Sequence, residues 1–437
     1  MEEIKKVPKK RIKILLLLSE SWNDISAPNN NVTNWFSGFD DVEIWTVSGN
    51  GNLPNNSCCK DYFLISEGRM LRSIYKRQKV GEIRHFKDYP NAVPESVSAK
   101  KAPRLFGEFI RLARDIVWRF GRYDTEKLRN FIEDFDPDIV FSQRMGSVKM
   151  CTIERLVAKC TDAPMIAYTG DDEYSLNQFS LSPIYWIRRL WVRSMLKKNI
   201  ASYKLFYSQS QRQMDEFAKE FSTPTKFLVK CGKFEEGKIH KSVNNPIQLV
   251  YAGKLYCNRW KSLAMIAKAI TKINSESGVT KLTLNIYTRD RITKKQNLLL
   301  NDGKNSIIHG GVPGSELPEI YARADVALHV ESFDLKNKLL TKDSFSTKVM
   351  DCMASGCAVM AVCWKDHAAG RYLKDKDAAM VANSYVDIEK IITDISGNSD
   401  IVLQYSKKAY DCGVCNHTRE NIQEMLRCDF ERIIKKC

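Results

Sequence analysis

The feature that most constrains this chain is an alternation that runs along its length and restarts once. Apolar runs of strand length recur between stretches of helical period. "RIKILLLLS" (11–19), "DVEIWTVS" (41–48), "PDIVFSQ" (137–143), "PMIAYTGDD" (164–172) and "YKLFYSQS" (203–210) are the runs of the first half. Helical patterns lie around 124–135, 147–160 and 211–221. The polar, glycine-bearing stretch near 232–246 interrupts the rhythm, and "IQLVYAGK" (247–254) begins it again. "KLTLNIYT" (281–288), "SIIHGG" (306–311), "DVALHVE" (325–331) and "CAVMAV" (357–362) follow, with helices at 259–274, 315–324, 346–355 and from about 384. Strands alternating with helices predict an α/β fold with parallel sheets. Two such series predict two Rossmann-like domains facing across a cleft. The expected division is 1–234, 246–415 and a C-terminal helix at 416–437 that packs back on the first domain. The lysine- and arginine-rich stretch 60–122 fits neither series and is expected to hold loops and one basic helix.

The chain has 437 residues, enough for two or three cores. "IKILLLLS" after "KKVPKKR" imitates a secretory leader, but no small-residue cleavage site follows and the run is too short to span a bilayer. It is read as the first strand. Thirteen cysteines, an odd number without a secretion signal, predict reduced thiols and a cytoplasmic protein. "CGVCNH" (412–417) lacks the second ligand pair of a zinc site and reads as a helix end. A net charge of +16 favours an anionic partner, whether nucleic acid, acidic lipid or a phosphorylated substrate. No nucleic-acid-binding module is recognisable.

In open parallel sheets ligands bind beyond the carboxyl ends of strands. Three such places occur in the second half. In "YAGKLYCNRWKSL", Gly253 admits close approach, and Lys254 and Arg259 are placed to meet a diphosphate. In "ALHVESFDLKNKLLTKD", His329 and Glu331 share one face of a strand, ahead of a loop with Lys336, Lys338 and Lys342. In "DSFSTKVMDCMASG", Ser344 or Ser346 can cap a helix whose free N–H groups at Ser346, Thr347 and Lys348 form an anion site. Lys348 opposes the helix dipole, and a bound phosphate would reverse that cost. Asp351, one turn on, suits the hydroxyls of a ribose, or else pairs with Lys348. Gly356 closes the helix as a left-handed cap. In the first half, the loop 19–36 offers Asn30, Asn31 and two tryptophans for a sugar, and "YTGDDEYS" offers Asp171 and Asp172, one of them a general base or a ligand of acceptor hydroxyls.

These motifs together resemble the GT-B glycosyltransferases, specifically the family-4-like enzymes of bacterial capsule and surface-glycan synthesis. The resemblance covers most of 247–382. "YAGKL…NRWKSL" is similar to the family's Gly-Arg-Leu…Lys-Gly turn, with Lys254 and Arg259 in the two cationic positions. "FSTKVMDCMASGCAVMAV" is similar to its Glu-Ala-Met-Ala-x-Gly helix, with Asp351 as the ribose-binding carboxylate. The family's paired acids stand eight positions apart, which points to Asp343, whereas Glu331 opens a family-like "E-S-F"; either is the acid that meets the sugar. The resemblance implies transfer of a sugar, with retention, from a nucleotide-diphosphate donor to an acceptor hydroxyl on a glycan or lipid-linked acceptor. It implies no metal and no cofactor. A nucleotide-sugar 2-epimerase shares the same double-Rossmann fold and is the alternative enzyme; a basic nucleic-acid-binding protein is the non-enzymatic one.

"RLFGEFIRLARDIVWRFGR" (104–122) sets Leu105, Phe109, Leu112, Ile116 and Phe120 at helical spacing. "PIYWIRRLWVRSMLKK" (183–198) carries basic residues at 188, 189, 193, 197 and 198 and no acid. Both suit an anionic headgroup interface, or equally the core. The expectation is peripheral attachment at the inner face of the cell membrane.

Overall fold

The structure, a computed structural model, describes residues 10–23, 27–52, 54–88 and 104–436. It forms two units, one of Met1–Leu228 with Gln423–Cys437 and one of Val229–Ile422.

The first unit is built on an eight-stranded sheet. Its strands are β1 Ile12–Leu18, β2 Val42–Ser48, β3 Asp61–Leu64, β4 Glu82–His85, β5 Ile139–Arg144, β6 Met165–Thr169, β7 Tyr203–Ser208 and β8 Thr225–Phe227, in spatial order β4-β3-β2-β1-β5-β6-β7-β8. Every pairing is parallel except β3 with β4. Every residue of β5 and β6 is buried, as strands covered on both faces require. The stretch 60–122 is therefore not a loop region. Its strands β3 and β4 extend the sheet, and its helix Arg104–Phe120 packs against helices Val148–Val157 and Pro183–Ile200. Residues 89–103 lie outside the described residues.

From Gln423 onward the last helix, Arg419–Ile434, belongs to this unit. Leu426 and Phe430 are fully buried, and Phe430 meets Phe141 of β5 at 6.3 Å between ring centroids. Buried Asp429 accepts from the Tyr207 hydroxyl and the Lys226 ammonium, each at 2.8 Å.

The second unit has six parallel strands, β9 Ile247–Ala252, β10 Leu282–Tyr287, β11 Ser306–His309, β12 Val326–Val330, β13 Ala358–Val362 and β14 Met380–Ala382. Their order is β11-β10-β9-β12-β13-β14. The order reverses between β9 and β12, and in the first unit between β1 and β5. Helices that leave on opposite faces at such a point open a crevice at the strand carboxyl ends.

Candidate active site

The switch point of the second unit gathers most of the donor residues read from the sequence. Beyond β9, the chain turns through Gly253 and exposed Lys254 into helix Arg259–Ser277. Beyond β12 comes Glu331, buried and held by Arg259 through two bonds, Nε to Oε2 at 3.1 Å and Nη2 to Oε1 at 2.5 Å. Burial works against the guanidinium charge, but the facing carboxylate outweighs it, so the Arg259 pKa stands above its ordinary value. The Ser262 hydroxyl binds the Glu331 carbonyl at 2.6 Å and fixes the strand end from the same helix.

Lys348 reaches this point from helix Lys348–Ala354. Its ammonium lies beside Gly253, in the space that a Cβ there would take, so a larger residue at 253 would have to displace the end of Lys348. The ammonium stands 5.3 Å from the centre of the Tyr251 ring and makes no hydrogen bond or ion pair among the described residues. Burial, and then the neighbouring Arg259, lower its pKa from 10.5 to about 8. A half-buried cation without an anion costs free energy unless something absent completes it.

The alternative Lys348–Asp351 pair does not form. Asp351 accepts instead from Lys230 at 2.9 Å, and its side chain is 44% exposed. The expected cap is also corrected. Neither Ser344 nor Ser346 caps the helix; the N-cap is Thr347, with no side-chain bond, and Ser346 only gives its carbonyl to the Val349 N–H at 3.0 Å. Seven residues make a small dipole, so side-chain cations rather than the helix end carry the positive charge. Gly356 has φ +83°, as a left-handed cap requires, and a Cβ there would collide with the Lys238 carbonyl. The lysine loop after β12 is partly ordered as helix Leu335–Thr341, and Lys342 is buried.

Both acids considered for the sugar are buried, Asp343 in the turn after that helix and Glu331 at the strand end. Glu331 is the one the structure brings to Arg259. His329 joins it, as their shared strand face predicts, and so does His367, from the segment after β13. Burial lowers the pKa of both imidazoles, that of His329 further because His367 is near.

The first unit gives a different picture. Residues 27–36 are helical, not loop, and Trp22 and Trp35 are fully buried, so neither is open to stack on a sugar. Asn30 is exposed. Asn31 bonds the Tyr168 hydroxyl and leaves its own Oδ1 buried without a partner. Asp171 is exposed at the end of β6. Asp172 accepts from the Tyr174 and Ser175 N–H groups, the Ser175 hydroxyl, Gln178 and Arg189. Those bonds occupy both of its oxygens and assign it to holding the loop, not to taking a proton. A group no motif marked sits at this unit's own switch point. Buried Lys149 donates to the carbonyls of Ser19 at 2.6 Å and Gly49 at 3.3 Å, tying the ends of β1 and β2 together. Burial lowers its pKa to about 8. "CGVCNH" lies at the end of helix Asp400–His417, and His417 meets Tyr372 there, with no metal cluster among the described residues of that stretch.

The two basic segments are also redistributed. On helix Pro183–Ile200, Arg188 pairs with Asp115 and Glu108, Arg189 with Asp172 and Arg193 with Glu220. Those three cations are used within the unit. Facing out are apolar side chains, Ile187 and Leu190 on this helix, Leu181 just before it, and Phe109, Ile116 and Phe120 on helix Arg104–Phe120, among exposed cations that include Lys197, Lys198 and Arg119. Among the described residues no helix is long and apolar enough to cross a membrane.

Two Rossmann-like units of this order define the GT-B fold, and comparison with solved structures agrees. Sucrose-phosphate synthase from Thermosynechococcus elongatus superposes with a TM-score of 0.59 at 10% identity, over 98% of this chain and 100% of that one. The E. coli trehalose-6-phosphate protein bound with UDP-2-fluoro glucose gives 0.58 at 10%, over 95% and 98%. A trehalose-6-phosphate synthase described for glycosyl transfer with retention gives 0.56 at 11%, over 96% and 99%. Residues 252–427 match the family described as glycosyl transferase-like. No curated protein matches it.

Proposed function

We propose that the second unit binds a nucleotide-diphosphate sugar and that the chain transfers the sugar, with retention, to an acceptor hydroxyl. One observation carries this reading: the Lys348 ammonium lies beside Gly253, next to Arg259, with no anion of its own. A diphosphate is the anion that fits buried Arg259, half-buried Lys348 and exposed Lys254 at a switch point. Gly253 lets it approach, and the backbone at Ser346 and Thr347 borders it. Asp351, partly exposed and held only by Lys230, takes the ribose hydroxyls. Lys348 and Arg259 then face the charge that grows on the leaving diphosphate, which is electrostatic catalysis by groups already in place. Glu331 orients Arg259, and either Glu331 or Asp343 meets the sugar. Asn30, Asn31 and Asp171 serve the acceptor. A thermal-shift screen with UDP, GDP, ADP and CMP and their sugars tests the reading. One nucleotide should raise the melting temperature, and silence from all of them would overturn it.

The acceptor we propose is a lipid-linked glycan of a bacterial surface polysaccharide, met at the inner face of the membrane. The support is the outward apolar set of Phe109, Ile116, Phe120, Leu181, Ile187 and Leu190. Since Arg188, Arg189 and Arg193 are internally paired, insertion of these apolar side chains, with exposed Lys197, Lys198 and Arg119 beside them, supplies the attachment. Flotation with anionic liposomes should recover the wild type and lose the Ile187→Asp, Leu190→Asp variant. Equal recovery of the two would overturn the attachment.

A further inference from the structure

We infer that His329, Glu331 and His367 form a binding site for one divalent transition-metal ion of the zinc type. The three residues come from two neighbouring strand ends, and each offers a ligand atom within 4.8 Å of the other two. All three are buried. The imidazoles lie 5.5 Å apart between ring centroids with their planes 39° from parallel, so the rings are neither stacked nor hydrogen-bonded to each other. His329 Nε2 and both ring nitrogens of His367 are buried with no hydrogen-bond partner. Buried polar atoms are nearly always paired, and three such nitrogens in one cluster call for a common explanation.

A metal ion is the partner this donor set suits. Arg259 takes one bond at each Glu331 oxygen, which leaves each oxygen lone-pair capacity for a second partner. Two imidazoles and a carboxylate are the ligands of a three-residue zinc site, with the fourth position left to water. Tetrahedral bonds to zinc set ligand atoms about 3.4 Å apart, so small side-chain rotations close the set around the ion. The surroundings narrow the choice further. Arg259 and Lys348 put positive charge close by, which disfavours hard ions such as magnesium or calcium that are held by charge alone. An ion that bonds strongly to imidazole nitrogen is what remains. Bound there, it would clamp Glu331 between itself and Arg259 and so fix the guanidinium at the strand end. Its role is positioning. The site departs from the metal-free expectation and does not depend on the identity of the donor.

The test uses the full chain, stripped with a chelator and then titrated separately with zinc and cobalt(II). The expected result is one zinc per chain retained through gel filtration, measured by elemental analysis. Cobalt should give the visible bands of a four-coordinate site without the intense near-ultraviolet band of thiolate ligands. The His329→Asn, His367→Asn variant, checked for folding by far-UV circular dichroism, should retain none. No metal on the wild type, a thiolate band, or equal zinc on wild type and variant would each overturn the inference. If the variant does not fold, the cobalt spectrum of the wild type decides alone.

Discussion

Replacing Lys348 by methionine should make the unliganded protein more stable and unable to bind its donor. In the folded state the ammonium pKa falls from 10.5 to about 8, chiefly through burial. That fall corresponds to about 3 kcal/mol against the charged form at neutral pH. The sign follows from proton binding. Between about pH 8 and pH 10.5 the unfolded chain holds this proton and the folded chain does not, so stability attributable to Lys348 rises with pH across that window. Below it the full cost is present. Methionine keeps the stem and removes the charge, so about 3 kcal/mol is the ceiling of the gain. For a unit of this size roughly 2–4 °C of melting temperature accompanies each kcal/mol, so a rise of several degrees is expected. Differential scanning fluorimetry at pH 7, 8, 9 and 10 measures it. The gap between variant and wild type should be widest at pH 7 and close toward pH 10, and the nucleotide-induced shift should vanish. A variant that melts lower at pH 7, a gap that stays constant with pH, or a surviving nucleotide shift would refute the reasoning.

Lys149 has nearly the same lowered pKa and should respond in the opposite way. Its ammonium holds two carbonyls, so Lys149→Met leaves buried acceptors unpaired and should destabilise the protein by about 1–3 kcal/mol in chemical denaturation. Gly253→Ala pushes aside only the mobile end of Lys348, so circular dichroism and melting should change little. Nucleotide affinity by calorimetry should fall roughly 10–100-fold, the loss of one charge-assisted bond. Asp351→Asn should raise the KM for the donor more than it lowers kcat, if the residue holds the ribose as proposed and stands away from the reacting bond.

Both sheets were largely legible because buried parallel strands are predominantly apolar runs, and β1 and β13 show this most fully. What escaped was short or locally ambiguous. β3, β4, β8 and β14 have three or four residues each, too few to show a period. The helix at 27–36 hides behind a proline and three asparagines that read as loop, although proline in a first turn costs nothing. At the proposed donor site the legible residues were those at a glycine turn, a strand end or a helix start: Gly253, Lys254, Arg259, Glu331, Lys348 and Asp351. The illegible ones act across sequence distance. Lys230 reaches Asp351 over 121 positions, and His367 joins His329 from the segment after β13. Nothing in either local sequence marks the partner. Charge misled most on helix Pro183–Ile200, because composition counts arginines without showing which acids they meet.

The C-terminal helix has a consequence for the order in which the chain can be completed during synthesis. The first unit's sheet is finished at Phe227, yet Tyr207 and Lys226 meet their shared acid, Asp429, only about 200 residues later. Phe141 likewise receives Phe430 from this same late helix. As the nascent chain lengthens, the half containing β1 to β8 must stay open on the face this helix covers while the whole second unit is translated. Its hydrophobic surface is then exposed for many seconds at ordinary elongation rates. A chain cut short before Gln423 would keep that face bare permanently, so such a truncation should yield aggregation rather than a smaller folded protein.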